Sequence, residues 1–427
     1  MKQLLLACWL ASALHAAELP ECVDHSVSPY FPPVIRQTYE SCAQEVGLYY
    51  MMTYAWNRQH GTSAALMENQ FAAGFAWHFL NRGENRGAEL AEGWQMAQAH
   101  GVPTMAMYGD RSKDPLGSWP HGYALYHDAM KHRVRGYRFM PLATADQLGE
   151  AKRWLHERGL LAIEGRLRGF EQNAEKTIVL RWGREGSGHV MTYVGYDDRV
   201  GCDVNGDGRL SNDVDLNDDG EITLADWERG AFIAVNSYGR EWGDDGKTYV
   251  LYRESAVTPF QRGRWAAAVD VLPAYQPHFT LRLVLQTTCQ AAVRLSVRAD
   301  GGKPFIPLLF SYEPRFNPTV PESPERYSRF STGKRRLSLG PALQDDETGN
   351  ILPVEIGIDL TGQLPADAPS YTLEFQVDQS AYPHAAGTII EAHLMRYRPD
   401  GNLLSETAFA GLPYGMRAEA SSAQASP

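Results

Sequence analysis

Three residues far apart in the chain carry side chains that together could perform nucleophilic catalysis. Cys42 follows Ser41 at a predicted helix start, where unpaired backbone N–H groups and the helix dipole favour the thiolate. His189 and Asn236 lie at the ends of β-type runs. A thiol, an imidazole base and an amide that orients the imidazole are what a thiolate–imidazolium enzyme requires. Taken alone, such a cysteine is more often a buried structural residue, so the hypothesis depends on the two partners.

A second set of residues, between His189 and Asn236, has the composition of a calcium site. Acidic and amide residues alternate around a glycine in two loops that begin at Asp203 and Asp215. Ca²⁺ prefers roughly 6–8 oxygen ligands, which such loops supply. The candidate ligands, with backbone carbonyls expected from Arg209 and Glu221, are Asp203, Asn205, Asp207, Arg209, Asp213, Asp215, Asn217, Asp219, Glu221 and Asp226. They predict an insert over residues 200–230 that binds one or two Ca²⁺ ions; an acidic solvated turn is the alternative.

The two acidic loops differ at the twelfth position, where an acid closes a loop of this kind. The second loop has Asp226 there, whereas the first has Val214. We therefore expect Asp213 or Asp215 to close the first loop. No helix fits between the loops, so the arrangement is closer to tandem calcium repeats than to a helix-flanked hand.

Composition and charge limit the classes of partner. The chain has 427 residues and a net charge of −11. Its length predicts two or three domains, and its negative charge argues against nucleic acid as a partner.

Residues 1–17 read as a signal peptide, so we expect a secreted or periplasmic protein. No later stretch is long and apolar enough for a membrane span. If Cys42 is free, at most one disulfide forms among Cys22, Cys202 and Cys289.

The elements that must position the candidate catalytic residues follow from hydrophobic periodicity. Residues 41–159 show helical patterns, and Ser41 with Gln44 forms a capping box at the first start. From residue 160, short apolar runs bounded by Gly and Asp predict the strands next to His189 and Asn236. Helices first and strands second predict a two-lobed α+β unit over residues 24–272.

The C-terminal part is predicted to be all β. Leu281, Leu283 and Leu285 alternate with polar neighbours, as expected for antiparallel strands with one wet face. We predict a β-sandwich domain over residues 277–415 and a disordered tail over 416–427. A surface or carbohydrate ligand of the sandwich is left open.

Three segments resemble the papain-like cysteine peptidases. Asn236–Gly246 is similar to the family segment Asn-Ser-Trp-Gly-x-x-Trp-Gly-x-x-Gly, with Tyr238 at the first tryptophan. Gly188–Tyr196 resembles the histidine strand of the family. Gln37 and the following Ser41–Cys42 resemble the glutamine of the oxyanion hole and the nucleophile. The resemblance covers roughly residues 29–252.

The resemblance implies a papain-like two-lobed catalytic domain whose cleft accepts peptide or protein substrates. By the same resemblance, Cys42 attacks the scissile carbonyl, and His189 protonates the leaving amine. Asn236 orients His189, and Gln37 forms the oxyanion hole with the Cys42 backbone N–H. Trp242 is expected to cover the contact between His189 and Asn236.

The sequence therefore predicts a secreted cysteine endopeptidase with a calcium-binding insert. One alternative is a catalytically inactive homologue that serves as a calcium-dependent binding or adhesion module. Another is a thiol acyl-transferase, which would use the same residues and differ only in its products.

Overall fold

The computed structural model describes residues 19–81, 84–110, 119–172, 177–183, 188–258, 264–310, 351–380 and 382–426. The predicted signal peptide over residues 1–17 lies outside these ranges. Within them, no helix combines the length and the apolar character needed to cross a membrane.

A continuous helical run begins at Cys42, the candidate nucleophile. Helix α1 (Cys42–Gln44) leads into a π-helix over Glu45–Met52 and then into α2 (Thr53–His60), which ends at Gly61. All π-helix residues except Glu45 are buried, so this run lies in the core. The other helices are α3 (Ala73–Leu80), α4 (Leu90–Ala99), α5 (Met105–Tyr108), α6 (Tyr123–Lys131), α7 (Ala145–Glu157) and α8 (Glu254–Val257). Short 3-10 turns cover His25–Val27, Met67–Asn69, Leu224–Asp226, Gln290–Ala292 and Leu308–Phe310.

The capping box predicted at the start of α1 is wrong. The Ser41 side chain makes no capping hydrogen bond. Its hydroxyl instead donates to Oε1 of Glu45 across 3.1 Å. The Gln44 amide donates to the backbone carbonyl of Glu89 across 3.2 Å, which ties α1 to the start of α4. Both side chains are buried, so tertiary partners replace the local cap.

The strands next to the candidate site belong to one sheet of eight strands, counted among the described residues. In chain order these are β1 (Cys22–Asp24), β2 (Val134–Pro141), β3 (Leu161–Gln172), β4 (Ile178–Trp182), β5 (Gly188–Gly201), β6 (Arg229–Val235), β7 (Lys247–Leu251) and β8 (Trp265–Val271). Their order is β1-β5-β6-β7-β4-β3-β8-β2, and β5 also pairs with β3. That extra pairing closes β3 to β7 into a ring. The predicted change from helices to strands is confirmed, giving a mixed α/β fold.

Among its described residues, the C-terminal part forms two further sheets from β9 to β16. The strands are β9 (Phe279–Thr287), β10 (Val293–Ala299), β11 (Val354–Asp359), β12 (Tyr371–Val377), β13 (Gly387–Tyr397), β14 (Leu403–Ala408), β15 (Tyr414–Met416) and β16 (Ser421–Ala425). One sheet has the order β10-β12-β16 and the other β11-β9-β13-β14, with β15 on β13. Phe279 of β9 and Tyr371 of β12 join the sheets through rings whose centroids lie 5.3 Å apart.

The predicted disordered tail is wrong within the described residues, because β16 pairs with β12 from Phe375 to Tyr371. Ala423 and Ala425 alternate with polar residues and are buried. Two small apolar residues in an otherwise polar segment complete the sheet, and their pattern is too weak to predict a strand.

The C-terminal sheets pack closely on α6. The Tyr123 hydroxyl lies 2.5 Å from Oγ1 of Thr280 and 2.7 Å from the hydroxyl of Tyr397. The Arg133 guanidinium lies 2.5 Å from the carboxylate of Asp359, and both side chains are buried. One hydrophobic cluster extends from the helices through both sheets. A separate C-terminal domain therefore stays a prediction.

Candidate functional site

The Cys42 thiol lies against the strand that carries His189. Helix α1 packs on β5, and the thiol is within hydrogen-bonding range of the backbone at Val190, the residue after His189. Within the sheet, Gly165 of β3 is paired with His189. The start of the helical run and the start of β5 therefore meet, although Cys42 and His189 are 147 positions apart in the chain (189 minus 42).

The ring of His189 is held by the side-chain amide of Asn236. Nε2 of His189 lies 2.8 Å from Oδ1 of Asn236. The backbone N–H of Ser237 donates to the same Oδ1 across 2.7 Å, so the atom facing the ring is an oxygen. Nε2 must then carry a hydrogen, and the lone pair of neutral His189 is at Nδ1. Asn236 thus leaves Nδ1 as the basic atom of the site.

Buried contacts fix Asn236 itself. Its side chain is fully buried, and its backbone N–H donates to the carbonyl of Gly246 across 3.0 Å. Its own carbonyl accepts a hydrogen bond from the hydroxyl of Tyr50 across 3.1 Å. The same hydroxyl accepts from the backbone N–H of Ile35. Tyr50 therefore links the helical run, the segment before it and the Asn236 segment, a role that the sequence pattern did not reveal.

Gln37 lies beside the Asn236 segment. The backbone N–H of Gln37 donates to the carbonyl of Ser237 across 2.7 Å, and the hydroxyl of Ser237 donates to Oε1 of Gln37 across 2.5 Å. The amide nitrogen of Gln37 donates to the carbonyl of Tyr39 across 2.8 Å. An amide NH₂ group has two hydrogens, so one N–H remains for a further acceptor.

Tyr238 covers His189 directly. The two rings are stacked with centroids 4.6 Å apart, and the hydroxyl of Tyr238 lies 3.3 Å from Nδ1 of His189. Trp242 contacts the edge of Tyr238, with centroids 6.3 Å apart. The structure therefore places Tyr238 on the imidazole, with Trp242 behind it.

Burial shifts both groups of the candidate pair towards their neutral forms. It raises the pKa of Cys42 to about 11, although hydrogen bonding at the backbone of Val190 acts in the other direction. It lowers the pKa of His189, against the opposing effect of the bond to Asn236. The helix start was expected to favour the thiolate, but burial dominates. Both shifts favour a neutral thiol and a neutral imidazole in the resting pair. Cys22, Cys202 and Cys289 are also free thiols.

The two acidic loops repeat the same hydrogen bonds. Gly208 donates its backbone N–H to Asp203, and Gly220 donates to Asp215, each across 2.8 Å. Both glycines have positive φ angles, 81° and 87°, which the turn requires. The residues at the third and fifth positions accept bonds from backbone N–H groups two residues on, namely Asn205, Asp207, Asn217 and Asp219.

Glu228 closes the first loop as Asp226 closes the second. Asp226 accepts bonds from the backbone N–H groups at the second and ninth positions of its loop, across 3.0 and 2.9 Å. Glu228 accepts the corresponding bonds in the first loop, from Val204 across 2.7 Å and from Ser211 across 3.1 Å. Glu228, and not Asp213 or Asp215, therefore accepts these hydrogen bonds, while the acid that would close a calcium site in the first loop stays a prediction. Glu228 comes from beyond the end of the second loop, so spacing within the first loop could not identify it.

The other predicted ligands make local contacts. Asp213 accepts a hydrogen bond from the hydroxyl of Ser211, and Arg209 and Glu221 donate backbone N–H groups to the acids two residues before them. Among the described residues, no group of three or more His, Cys, Asp or Glu side chains is arranged to hold a metal ion. The loops offer oxygen donors, which suit Ca²⁺, but bound calcium stays a prediction.

Comparisons with known proteins give structural likenesses of low identity. No family model matches the chain, and no curated protein matches it. The chain is similar to xylellain, a cysteine protease from Xylella fastidiosa, with 16% identity and a TM-score of 0.40 over 60% of this chain and 88% of that one. It is also similar to the bromelain protease from Ananas comosus, with 14% identity and a TM-score of 0.37 over 59% and 99% of the two chains. For digestive procathepsin L 3 of Tenebrio molitor the identity is 13% and the TM-score 0.39, over 60% and 71%.

Proposed function

We propose that the chain is a cysteine peptidase that hydrolyses peptide bonds through Cys42, His189 and Asn236. The observation that carries this proposal is the 2.8 Å bond from Nε2 of His189 to Asn236, which leaves Nδ1 as a base beside the strand residue that the Cys42 thiol contacts. A thiol, an oriented base and an orienting amide are the parts that acyl transfer to sulfur requires. The sequence resemblance to papain-like peptidases supports the same assignment.

The reaction follows from the neutral resting pair. As the sulfur of Cys42 attacks the carbonyl carbon of the substrate, the thiol proton moves to Nδ1 of His189. That proton then passes to the leaving amine, which breaks the peptide bond and leaves a thioester on Cys42. Water attacks the thioester, its proton moves to Nδ1 and then to the departing sulfur, and the site is restored. Asn236 accepts a hydrogen bond from Nε2 throughout and so stabilises the imidazolium.

Gln37 is proposed to stabilise the oxyanion. The hydroxyl of Ser237 donates to Oε1 of Gln37, so the amide nitrogen of Gln37 faces away from Ser237. One N–H of this nitrogen donates to the carbonyl of Tyr39. The second N–H and the backbone N–H of Cys42 would bind the negative oxygen of the tetrahedral intermediate. One such donor is typically worth about 3 kcal/mol of transition-state stabilisation.

Calcium binding in the insert and export belong to the same proposal. The two loops supply carboxylate and amide oxygens in one repeated pattern, with Asp226 and Glu228 as their closing acids. Each loop would bind one ion and stiffen the connection between β5, which carries His189, and β6, which ends directly before Asn236. Residues 1–17 would direct the chain out of the cytoplasm.

A binding module without catalysis is the competing function. The raised pKa of Cys42, caused by burial, favours it, because a buried neutral thiol is a poor nucleophile without an efficient base. The experiment that separates the two is hydrolysis of an unstructured protein such as casein by the wild type and by Cys42→Ala. Cleavage by the wild type alone supports the peptidase. Equal cleavage, or none by either protein in calcium-containing buffer at any pH from 5 to 9, supports the binding module.

A further inference from the structure

The hydroxyl of Tyr238 contacts the ring atom on which the proposed reaction depends. It lies 3.3 Å from Nδ1 of His189, while the ring of Tyr238 stacks on the imidazole. Nδ1 has no hydrogen in the neutral ring, because Nε2 carries it towards Asn236. The hydroxyl must therefore be the donor and Nδ1 the acceptor. Burial raises the pKa of Tyr238, so this donor keeps its proton across the neutral range.

Tyr238 also interacts electrostatically with the candidate nucleophile. Burial is the largest cause of the raised pKa of Tyr238, and the charges of Cys42 and Glu40 raise it further. In the proposed reaction, the thiol proton of Cys42 must reach the same Nδ1 lone pair to which the hydroxyl of Tyr238 donates. A hydrogen bond to the neutral form of a base stabilises that form and lowers the basicity of the group.

We propose that Tyr238 is a positioning residue whose hydroxyl holds His189 in its neutral, proton-accepting state by donating to Nδ1. This inference rests on the proposed peptidase function and adds a residue to it. Tyr238 acts through His189, since the hydroxyl must release Nδ1 when the Cys42 proton arrives. Its effect is opposite to that of Asn236, because the Asn236 amide accepts from Nε2 and favours the charged ring.

The other charged groups around His189 affect its titration equally in the wild type and in Tyr238→Phe, a variant that lacks only the hydroxyl. Strand β3 contributes Glu164 and Arg166, which are paired with Val190 and Gly188 on either side of His189 in β5. The segment before α1 contributes Glu40. Together with Glu164, Glu40 raises the pKa of Cys42, although less than burial does. Removal of one hydroxyl leaves all of these charges in place. A shift of the His189 titration in that variant therefore reports the hydrogen bond alone.

The test is the pH dependence of Cys42 alkylation by iodoacetamide in the full-length protein. Peptide-resolved mass spectrometry separates Cys42 from the other free thiols. The variants are Tyr238→Phe, which keeps the stacked ring, and Asn236→Ala, with His189→Ala as the control that removes the base. In the wild type, alkylation needs neutral His189 as the base, so the alkylation rate rises as the pH increases through the pKa of His189. This rise is the acid limb of the pH profile. We expect Tyr238→Phe to move this acid limb to higher pH by about half a unit to one unit, the effect of one ordinary hydrogen bond. We expect Asn236→Ala to move it to lower pH.

The outcomes separate this inference from the proposed function. An acid limb that stays in place or moves down in Tyr238→Phe overturns the role of the hydroxyl, and the peptidase proposal survives. A wild-type profile identical to that of His189→Ala shows that the imidazole does not act on the thiol, which overturns both. Tyr238→Phe alone decides the point if Asn236→Ala fails to fold.

Discussion

Oδ1 of Asn236 lies 2.8 Å from Nε2 of His189 and 2.7 Å from the backbone N–H of Ser237. These two bonds orient the amide and, through it, the imidazole. The amide cannot rotate without losing both, because its NH₂ group would then face two donors.

We therefore expect Asn236→Ala to reduce peptide hydrolysis. A buried donor left without its partner costs about 1–3 kcal/mol, which corresponds to a drop of roughly fivefold to a hundredfold in kcat/KM. Steady-state hydrolysis of a fluorogenic peptide measures the effect. Asn402→Ala, in an exposed turn between β13 and β14, is the matched control and should leave the rate unchanged. Equal rates for Asn236→Ala and Asn402→Ala would contradict the orienting role.

The buried thiol of Cys42 predicts a specific loss of stability at high pH. A thiol with its ordinary pKa of 9.0 ionises at lower pH than Cys42 in the folded protein, whose pKa burial raises to about 11. The folded state thus keeps a proton that the unfolded state loses between these values. The contribution of Cys42 is complete below pH 9 and is lost as the pH rises towards 11.

The rise of the Cys42 pKa by about two units corresponds to about 2–3 kcal/mol of unfolding free energy. Urea denaturation under reducing conditions at pH 8 and pH 11 should show that the wild type loses about that much more unfolding free energy than Cys42→Ala. Identical losses in the two proteins would mean that the thiol is not buried in the folded state.

The repeated acidic loops predict calcium-dependent stability. At a Ca²⁺ concentration a hundredfold above the dissociation constant, binding adds about 2.7 kcal/mol per site to the folded state. We expect EGTA to lower the Tm, and calorimetry to give two ions per chain. Glu228→Gln and Asp226→Asn should each reduce this number by one, whereas Asp367→Asn, an exposed acid outside the loops, should not. An unchanged Tm in excess chelator would remove the calcium proposal.

The contact between α6 and the C-terminal sheets predicts that the two parts unfold together. Arg133→Met leaves the buried carboxylate of Asp359 without its cation, which should cost about 3–5 kcal/mol. Arg138→Met is the matched control, because its pair with Asp270 is largely exposed and is worth at most about 1 kcal/mol. Tryptophan fluorescence and circular dichroism should report one coincident transition. Two separate transitions, with Arg133→Met affecting only one, would indicate an independent C-terminal domain.

The residues that sequence could identify are those whose chemistry is tied to a local pattern. Cys42, His189 and Asn236 lie at ends of helical or apolar runs and within recognisable segments. The first residues of the acidic loops, Asp203 and Asp215, are evident because their hydrogen bonds close within five residues.

Residues that act through long-range contacts were not predictable in this way. Glu228 serves a loop that begins 25 residues earlier (228 minus 203), and Tyr50 reaches Asn236 across the core. Ser41 and Gln44 fit a local capping rule, yet their side chains bond to Glu45 and Glu89. Tertiary partners override local preference where the helix start is buried, and a single sequence contains no signal of that burial.

The most direct test of the central claim is labelling of the wild-type protein with an epoxysuccinyl thiol reagent, followed by mass spectrometry to locate the adduct. The account predicts a single adduct on Cys42, loss of peptide hydrolysis in proportion to labelling, and no adduct there in His189→Ala at neutral pH. Labelling of Cys42 at the same rate in His189→Ala, or an adduct on another cysteine with hydrolysis abolished, would contradict it.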